Sequence, residues 1–470
     1  MNLWSCAATP LSAGDFVLCF GMAAVFVVLA RAAGRPKPTA RAAFLDDAGY
    51  AWPEAFVALF AAEVSALTVV GVPAAAFVGG LSYAQFFVGS LLGRAACWWL
   101  APRLREGGAV TVYGWLGRRL GGETGRAAAA LFCGGRLLAS ALRLVAGALA
   151  LQVVTGLGAA WWALALAVCA ALLVGRGGLR AVVYTSGWQC LAVFSAGAAV
   201  CAYAVAQIPG GAHAALRFAG DGGRLAFYRG GTAWLTDGTL FWPACVNGAA
   251  GALAAFLADH DLTQKLLACR SDADARRAIA ASAAAAAAVL SLLLAAGVCL
   301  FAFYTAHPAL AVPDRFDKIL PHFAATVLPS PLRGLVAAAI FLAAVDLPVS
   351  ALSAASWCDV AAAGAELPAA ARWALAAGWS AALAAAALWL MTPGPAVGWS
   401  ERLWSAAQGP LLGLALLAAA RGRPRRWVAP GSLAVALVVV LGLARGGRVD
   451  ASWLILFGAL AAGGAAWLLA

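Results

Sequence analysis

The stretch Phe56-Val-Ala-Leu-Phe-Ala-Ala-Glu63-Val-Ser65-Ala-Leu-Thr68-Val-Val-Gly71-Val-Pro73 decides how this chain is read. It is apolar enough for lipid, yet it holds a carboxylate, two hydroxyls, a glycine and a proline close together. Pro73 has no N–H to give the carbonyl of Val69, so the helix is expected to loosen there. Within a bilayer, unwound backbone survives only where it faces protein or a water-filled cavity. Helices broken in this way are where transporters offer carbonyls to cations and helix ends to solutes. A plain proline kink in a packed helix is the competing reading.

The surrounding chain makes lipid the right solvent. Of 470 residues, 64% are apolar and 11% charged, against roughly 45–50% and 25% in soluble domains. At about 20 residues per crossing, the apolar runs give thirteen candidate spans. They lie near residues 16–29, 54–78, 81–100, 127–154, 159–174, 181–206, 240–257, 278–304, 335–360, 373–390, 404–419, 428–443 and 453–469. The chain is read as an all-α polytopic membrane protein. Its eleven cysteines are scattered singly and its four histidines lack ligand spacing, so no disulfide framework, transition metal or other cofactor is expected. The net charge of +12 points to basic inner loops rather than nucleic acid. With the N-terminus outside, twenty of 32 basic residues fall in inner loops and nine in outer ones. The inner set includes Arg35, Lys37, Lys265 and the group Arg421, Arg423, Arg425 and Arg426; the outer set includes Arg448. That asymmetry places the N-terminus outside and the C-terminus inside a plasma (inner) membrane.

A second stretch parallels the first: Ala343-Ala-Val-Asp346-Leu-Pro348-Val-Ser350-Ala-Leu-Ser353-Ala-Ala-Ser356. Pro348 frees the carbonyl of Ala344 beside a carboxylate, which makes a hard-oxygen site for a small cation or a proton. Interrupted helices in two halves of a chain point to a binding site between repeats. Charges inside spans are expensive and are read as functional or paired. Besides Glu63 and Asp346 these are Arg94, Arg136 and Arg143, of which Arg94 is near enough to a helix end to snorkel. Arg136 and Arg143 are about two turns apart, hence on one face. Their forked donors suit a carboxylate or phosphate, while neutralisation of Glu63 or Asp346 by Arg143 is an equal alternative.

Several ordered pieces carry a family resemblance. Ala61-Ala-Glu63-Val-Ser65-Ala-Leu-Thr68-Val-Val-Gly71-Val-Pro73, then Gln85, Gly89, Gly93 and Arg94, then Arg136 and Arg143 stand in sequence. Gly178-Leu-Arg180-Ala-Val-Val-Tyr-Thr185 with Gln189 follows, then Asp259-His-Asp-Leu-Thr-Gln264-Lys265, Leu332-Arg333-Gly334-Leu335 and Gly409-Pro-Leu-Leu-Gly413. Over about residues 12 to 415 this resembles the sodium:solute symporters. The resemblance implies a LeuT-like 5+5 inverted-repeat core with alternating access. It divides the chain into an N-terminal helix (1–33), an inner loop (34–53), a first repeat (54–208), an outer loop (209–235), a second repeat (236–420) and two C-terminal helices (421–470).

By position it places a sodium site on Ala61, Val64, Ala343, Asp346 and Leu347. Candidate solute contacts are Glu63, Ser65, Thr68, Gln85, Arg136 and Arg143. Asp346 and Leu347 stand where the family has adjacent hydroxyls, and Ser186 where it has an acid. Asp346 is thus either a stronger sodium ligand or a proton carrier, and lost coupling is a third outcome. The expected function is import of a small polar or anionic solute, with sodium, or else a proton, as coupling ion. The expected partners are that solute and the lipid bilayer, and a homo-oligomer is left open. A membrane-embedded transferase or a transporter-derived sensor are the other classes. No nucleophile–base constellation converges, so the chain is not read as an enzyme.

Overall fold

Lipid permits a spanning chain only helices or a closed barrel, and this chain takes helices. The computed structural model describes residues 11–34, 38–358, 366–392, 396–420, 428–447 and 449–469. No strand occurs among them beyond two isolated bridges, Thr39 with Glu366 and Tyr50 with Cys269. Arg35, Lys37, Arg421, Arg423, Arg425, Arg426 and Arg448 lie outside the described residues.

The helices are α1 (Ala13–Ala32), α2 (Ala40–Leu45), α3 (Trp52–Glu63), α4 (Ala66–Gly79), α5 (Ala84–Arg105), α6 (Val112–Leu120), α7 (Gly122–Thr155), α8 (Ala159–Ala206) and α9 (Gly211–Asp221). After them come α10 (Phe241–Leu257), α11 (His260–Leu267), α12 (Asp272–Ala306), α13 (Ile319–Thr326), α14 (Leu332–Val345) and α15 (Val349–Cys358). The last four are α16 (Ala369–Leu390), α17 (Ala396–Ala419), α18 (Val428–Gly446) and α19 (Leu454–Leu469).

Three pairs are broken helices: α3 with α4, α10 with α11, and α14 with α15. The first break corrects the expectation at Pro73. The interruption comes at Val64 and Ser65, whereas Pro73 sits inside unbroken α4. A proline removes one hydrogen bond, which a packed helix tolerates. Here the neighbour is α12: a Cβ at Gly297 would lie 2.3 Å from the Pro73 carbonyl oxygen. The proline is thus a point of close helix packing.

Nine helices among the described residues are long and apolar enough to cross a membrane, or ten if the pair α10–α11, bent by 54°, is one span. The expected total of thirteen is not confirmed by these lengths. Two predicted spans, 159–174 and 181–206, join into the 48-residue α8, about 72 Å of helix at 1.5 Å per residue. That is more than twice the hydrocarbon thickness. It turns at Gly178, whose φ of +58° is open to glycine. There the backbone meets the carbonyl of Ala43, 2.4 Å from where a Cβ would stand.

A second correction concerns residues 259–265, expected in an inner loop. They form the break before α11 and most of that helix, and every residue of α11 is buried. The short helix is polar in sequence yet buried: the protein holds its Asp261, Gln264 and Lys265 side chains, while the ring nitrogens of His260 have no hydrogen-bond partner among the described residues.

Small residues let the long helices approach. α5 lies along α10 with Gly89 and Gly248 at the contact. A Cβ at Gly89 would be 1.8 Å from the Cys245 carbonyl oxygen, and one at Gly248 1.9 Å from that of Phe86. Backbone cannot yield as a side chain does, so Gly89→Ala is expected to cost about 3 kcal/mol, the upper end of the usual overpacking range. Loss of the monodisperse folded peak in size-exclusion chromatography would report it. At the other end Asp15, fully buried, caps α1 through Ser12 and accepts the Gly334 amide at 2.9 Å, tying α1 to the start of α14.

Candidate functional site

The site begins at the first break. Val64 leaves the helix at φ −93°, ψ 78°, and Ser65 enters α4 from extended backbone. Side chains replace the missing backbone donors. Thr68 Oγ1 donates to the Glu63 carbonyl at 3.2 Å and lies 3.3 Å from Ser65 Oγ. Gln189 of α8 donates through Nε2 to the carbonyls of Ala61 at 3.4 Å and Val64 at 3.2 Å.

The second break is built differently. Asp346 ends α14 at φ −75°, ψ 70°. The Leu347 amide turns back to the Val345 carbonyl at 2.8 Å, so it cannot serve Ala343, and Pro348 has no N–H for Ala344. The helix resumes with the Leu352 amide on the Pro348 carbonyl. Two carbonyls therefore lose their helical donors beside a carboxylate.

The two breaks meet across α7. A Cβ at Gly147 would lie 2.7 Å from the Ala344 Cβ and 3.1 Å from the Ala66 Cβ, so only a bare glycine separates them. Asp346, half-buried, makes no hydrogen bond or ion pair among the described residues. The charged groups facing it are Lys265 and Asp261 of α11 and Arg143 and Arg136 of α7, and Cys190 of α8 faces it too. Gln189, on the first break, is the neighbour of Cys190. The carboxylate and the Ala61 and Val64 carbonyls thus approach the same part of α8.

The expected ion residues Ala61, Val64, Ala343 and Leu347 are all buried around this junction. The expected solute residues separate into two groups. Ser65, Thr68 and Arg143 line the breaks. Arg143 is half-buried and has no hydrogen bond or ion pair among the described residues, which sets aside its neutralising Glu63.

Glu63, Gln85 and Arg136 are engaged elsewhere. Glu63 forms an ion pair with Arg94, which also donates to Ser90 and Ser282 and lies over the Phe256 ring. Arg94 therefore does not snorkel; it ties α5 to α3 and α12. Gln85, fully buried, donates to the Ser82 and Thr239 carbonyls and accepts the Arg229 amide, which fastens the segment before α10. In that segment, outside the spans, the Thr239 hydroxyl and amide hold Asp237 below the usual carboxylate range, with Arg229 adding to the effect.

Arg136 is 1% exposed and grips Asp259 at 2.7 Å and Asp261 at 2.5 Å; Lys265 closes on Asp261 at 2.8 Å. These are buried, mutually neutralising charges that fix α11 against α7. The sequence reading missed this cluster and the use of Gln189. The signal for the cluster was two carboxylates and a lysine within seven residues of the end of an apolar run. Among the described residues no cluster of His, Cys, Asp and Glu is suited to a metal ion.

A model of the sodium:solute symporter family matches residues 44–359, two thirds of the chain. The chain belongs to the sodium:solute symporter family. A sodium-coupled monocarboxylate transporter 2 from Bos taurus is 25% identical over 293 residues, 62% of this chain and 47% of that protein. The human sodium/iodide cotransporter (Homo sapiens) is 26% identical over 272 residues, 56% of this chain and 42% of that one. The chain spans about half the length of the curated relatives it matches. A solved structure of a Na+-coupled sialic acid symporter, substrate-bound and outward-open, superposes with a TM-score of 0.87 over 98% of both chains at 19% identity. That likeness establishes the LeuT-like fold of this symporter-family chain.

Proposed function

We propose that this family member is a sodium-coupled symporter that imports a small anionic solute by alternating access. The observation that carries the reading is the pairing of two unengaged charges at one junction: Asp346 for the cation and Arg143 for the anion. An ionised carboxylate with broken-helix carbonyls is a hard-oxygen set for sodium. A guanidinium that faces Asp346 but makes no hydrogen bond or ion pair among the described residues is available to a solute carboxylate. The relatives named above, whose names give monocarboxylate, iodide and sialic acid, support an anionic passenger.

Ala61, Val64, Ala343 and Leu347 would complete the cation site, with Ser65 and Thr68 beside the solute. Glu63, Gln85 and Arg136 are kept as scaffold. The repeats would run over 54–208 and 236–420, with the N-terminus outside. The excess of basic residues in the expected inner loops supports that orientation after Lys265 is removed from them.

Uptake of a radiolabelled monocarboxylate into proteoliposomes is expected to need an inward sodium gradient, measured against choline. A panel of sugars and zwitterionic amino acids serves as control. Uptake driven by a pH gradient without a sodium response would replace sodium by a proton carried on Asp346. Preference for a neutral sugar would sink the anionic solute.

A further inference from the structure

The Gln189 amide sits on the two carbonyls that the first break turns toward the junction. We propose that Gln189 is a stand-in for the coupling cation, donating its amide protons to the Ala61 and Val64 carbonyls and having to leave them for the cation to bind. This rests on the cation reading above and adds to it a side chain that competes for the site.

One nitrogen, Nε2, reaches both oxygens, at 3.4 and 3.2 Å. A cation held by both carbonyls must also lie between them, so it and the amide protons contend for the same space. Satisfaction of orphan backbone accounts for the bond to Val64 but does not by itself demand the one to Ala61. The Ala61 carbonyl already accepts the Val64 amide at 3.1 Å, so its bond from Gln189 is a second one.

The side chain is only 2% exposed and reaches the break from a different helix, α8. Its partial positive charge aims where a full one would sit. The carbonyls are therefore stabilised by the amide or by the ion, in exchange, and the ion's affinity is the difference between the two. A site that must release its ion to the far side of the membrane gains from such weakening, because the outgoing ion is replaced by a bond already poised to form.

The test is sodium titration of purified protein, followed by thermal shift against choline at constant ionic strength. Gln189→Leu removes the competitor and leaves the carbonyls bare. Its melting temperature without sodium is expected to fall, and its half-saturating sodium to drop about tenfold, the size of one or two lost hydrogen bonds. An unchanged half-saturation would make Gln189 merely structural; a higher one would make it a ligand; either overturns the proposal.

If Gln189→Leu does not fold, Gln189→Glu keeps the shape but points carboxylate oxygen at two carbonyls. Its stability is then expected to depend on sodium more steeply than that of the unaltered chain, and an equal dependence overturns the proposal. Absence of a sodium response in the unaltered chain and in Gln189→Leu alike sinks the sodium reading of the site, and the competition with it. A response appearing in Gln189→Leu alone supports the competition.

Discussion

Asp346→Ala is expected to abolish sodium-driven uptake, by roughly 100-fold or more, while the protein still purifies as a folded monodisperse species. The size follows from losing a charged contact of about 3 kcal/mol. The expected folding tolerance follows from the structure: no hydrogen bond or ion pair among the described residues depends on this carboxylate. Its loss orphans no donor, although Arg143 and Lys265 lose a negative neighbour. Asp346→Ser returns a hydroxyl at that position and is expected to retain part of the sodium dependence. Asp346→Asn separates the ions. A neutral oxygen still ligates sodium weakly, but an amide cannot take up and release a coupling proton as a carboxyl can. Sodium-driven uptake that survives in Asp346→Asn supports sodium. Complete loss of driven uptake with intact solute exchange across a gradient-free membrane supports a proton.

What the sequence revealed and what it hid have a common physical cause. Lipid enforces apolar runs, so the helical class and most spans were legible from hydropathy alone. Pro348 marked the second break because Asp346 stood beside it in a run with no other charge. The first break was placed nine residues too late, at Pro73, because proline is visible in a sequence. A break held open by Gln189, Thr68 and Ser65 shows only when helices from distant parts of the chain meet. The same holds for α11. Asp259, Asp261 and Lys265 read as an inner loop because they are polar, yet Arg136, more than a hundred residues earlier, takes them into the interior. A buried ion cluster and a solvated loop have the same composition. Arg136 and Arg143 looked alike for the same reason. They are one helix face, two turns apart, and only the partners tell them apart.

That difference gives the clearest contrast available in this chain. Arg136→Gln removes the cation that two buried carboxylates share, leaving Asp259 nearly bare and Asp261 with Lys265 alone. Breaking a buried pair in this way costs about 3–5 kcal/mol. Arg136→Gln is therefore expected to lower the folded yield sharply, and to lose transport only because the protein is lost. Arg143→Gln deletes a guanidinium that has no hydrogen-bond or ion-pair partner among the described residues to orphan, so the melting temperature is expected to stay within a few degrees of the unaltered chain. Uptake of an anionic solute is expected to fall by roughly 100-fold, since a charge-assisted, forked contact is gone. Arg143→Lys keeps the charge but loses the fork, and should fall between the two. Melting curves and sodium-driven uptake measured on the same preparations separate stability from transport. If Arg143→Gln melts as early as Arg136→Gln, the guanidinium is holding the junction together, and the anion must be recognised by something else.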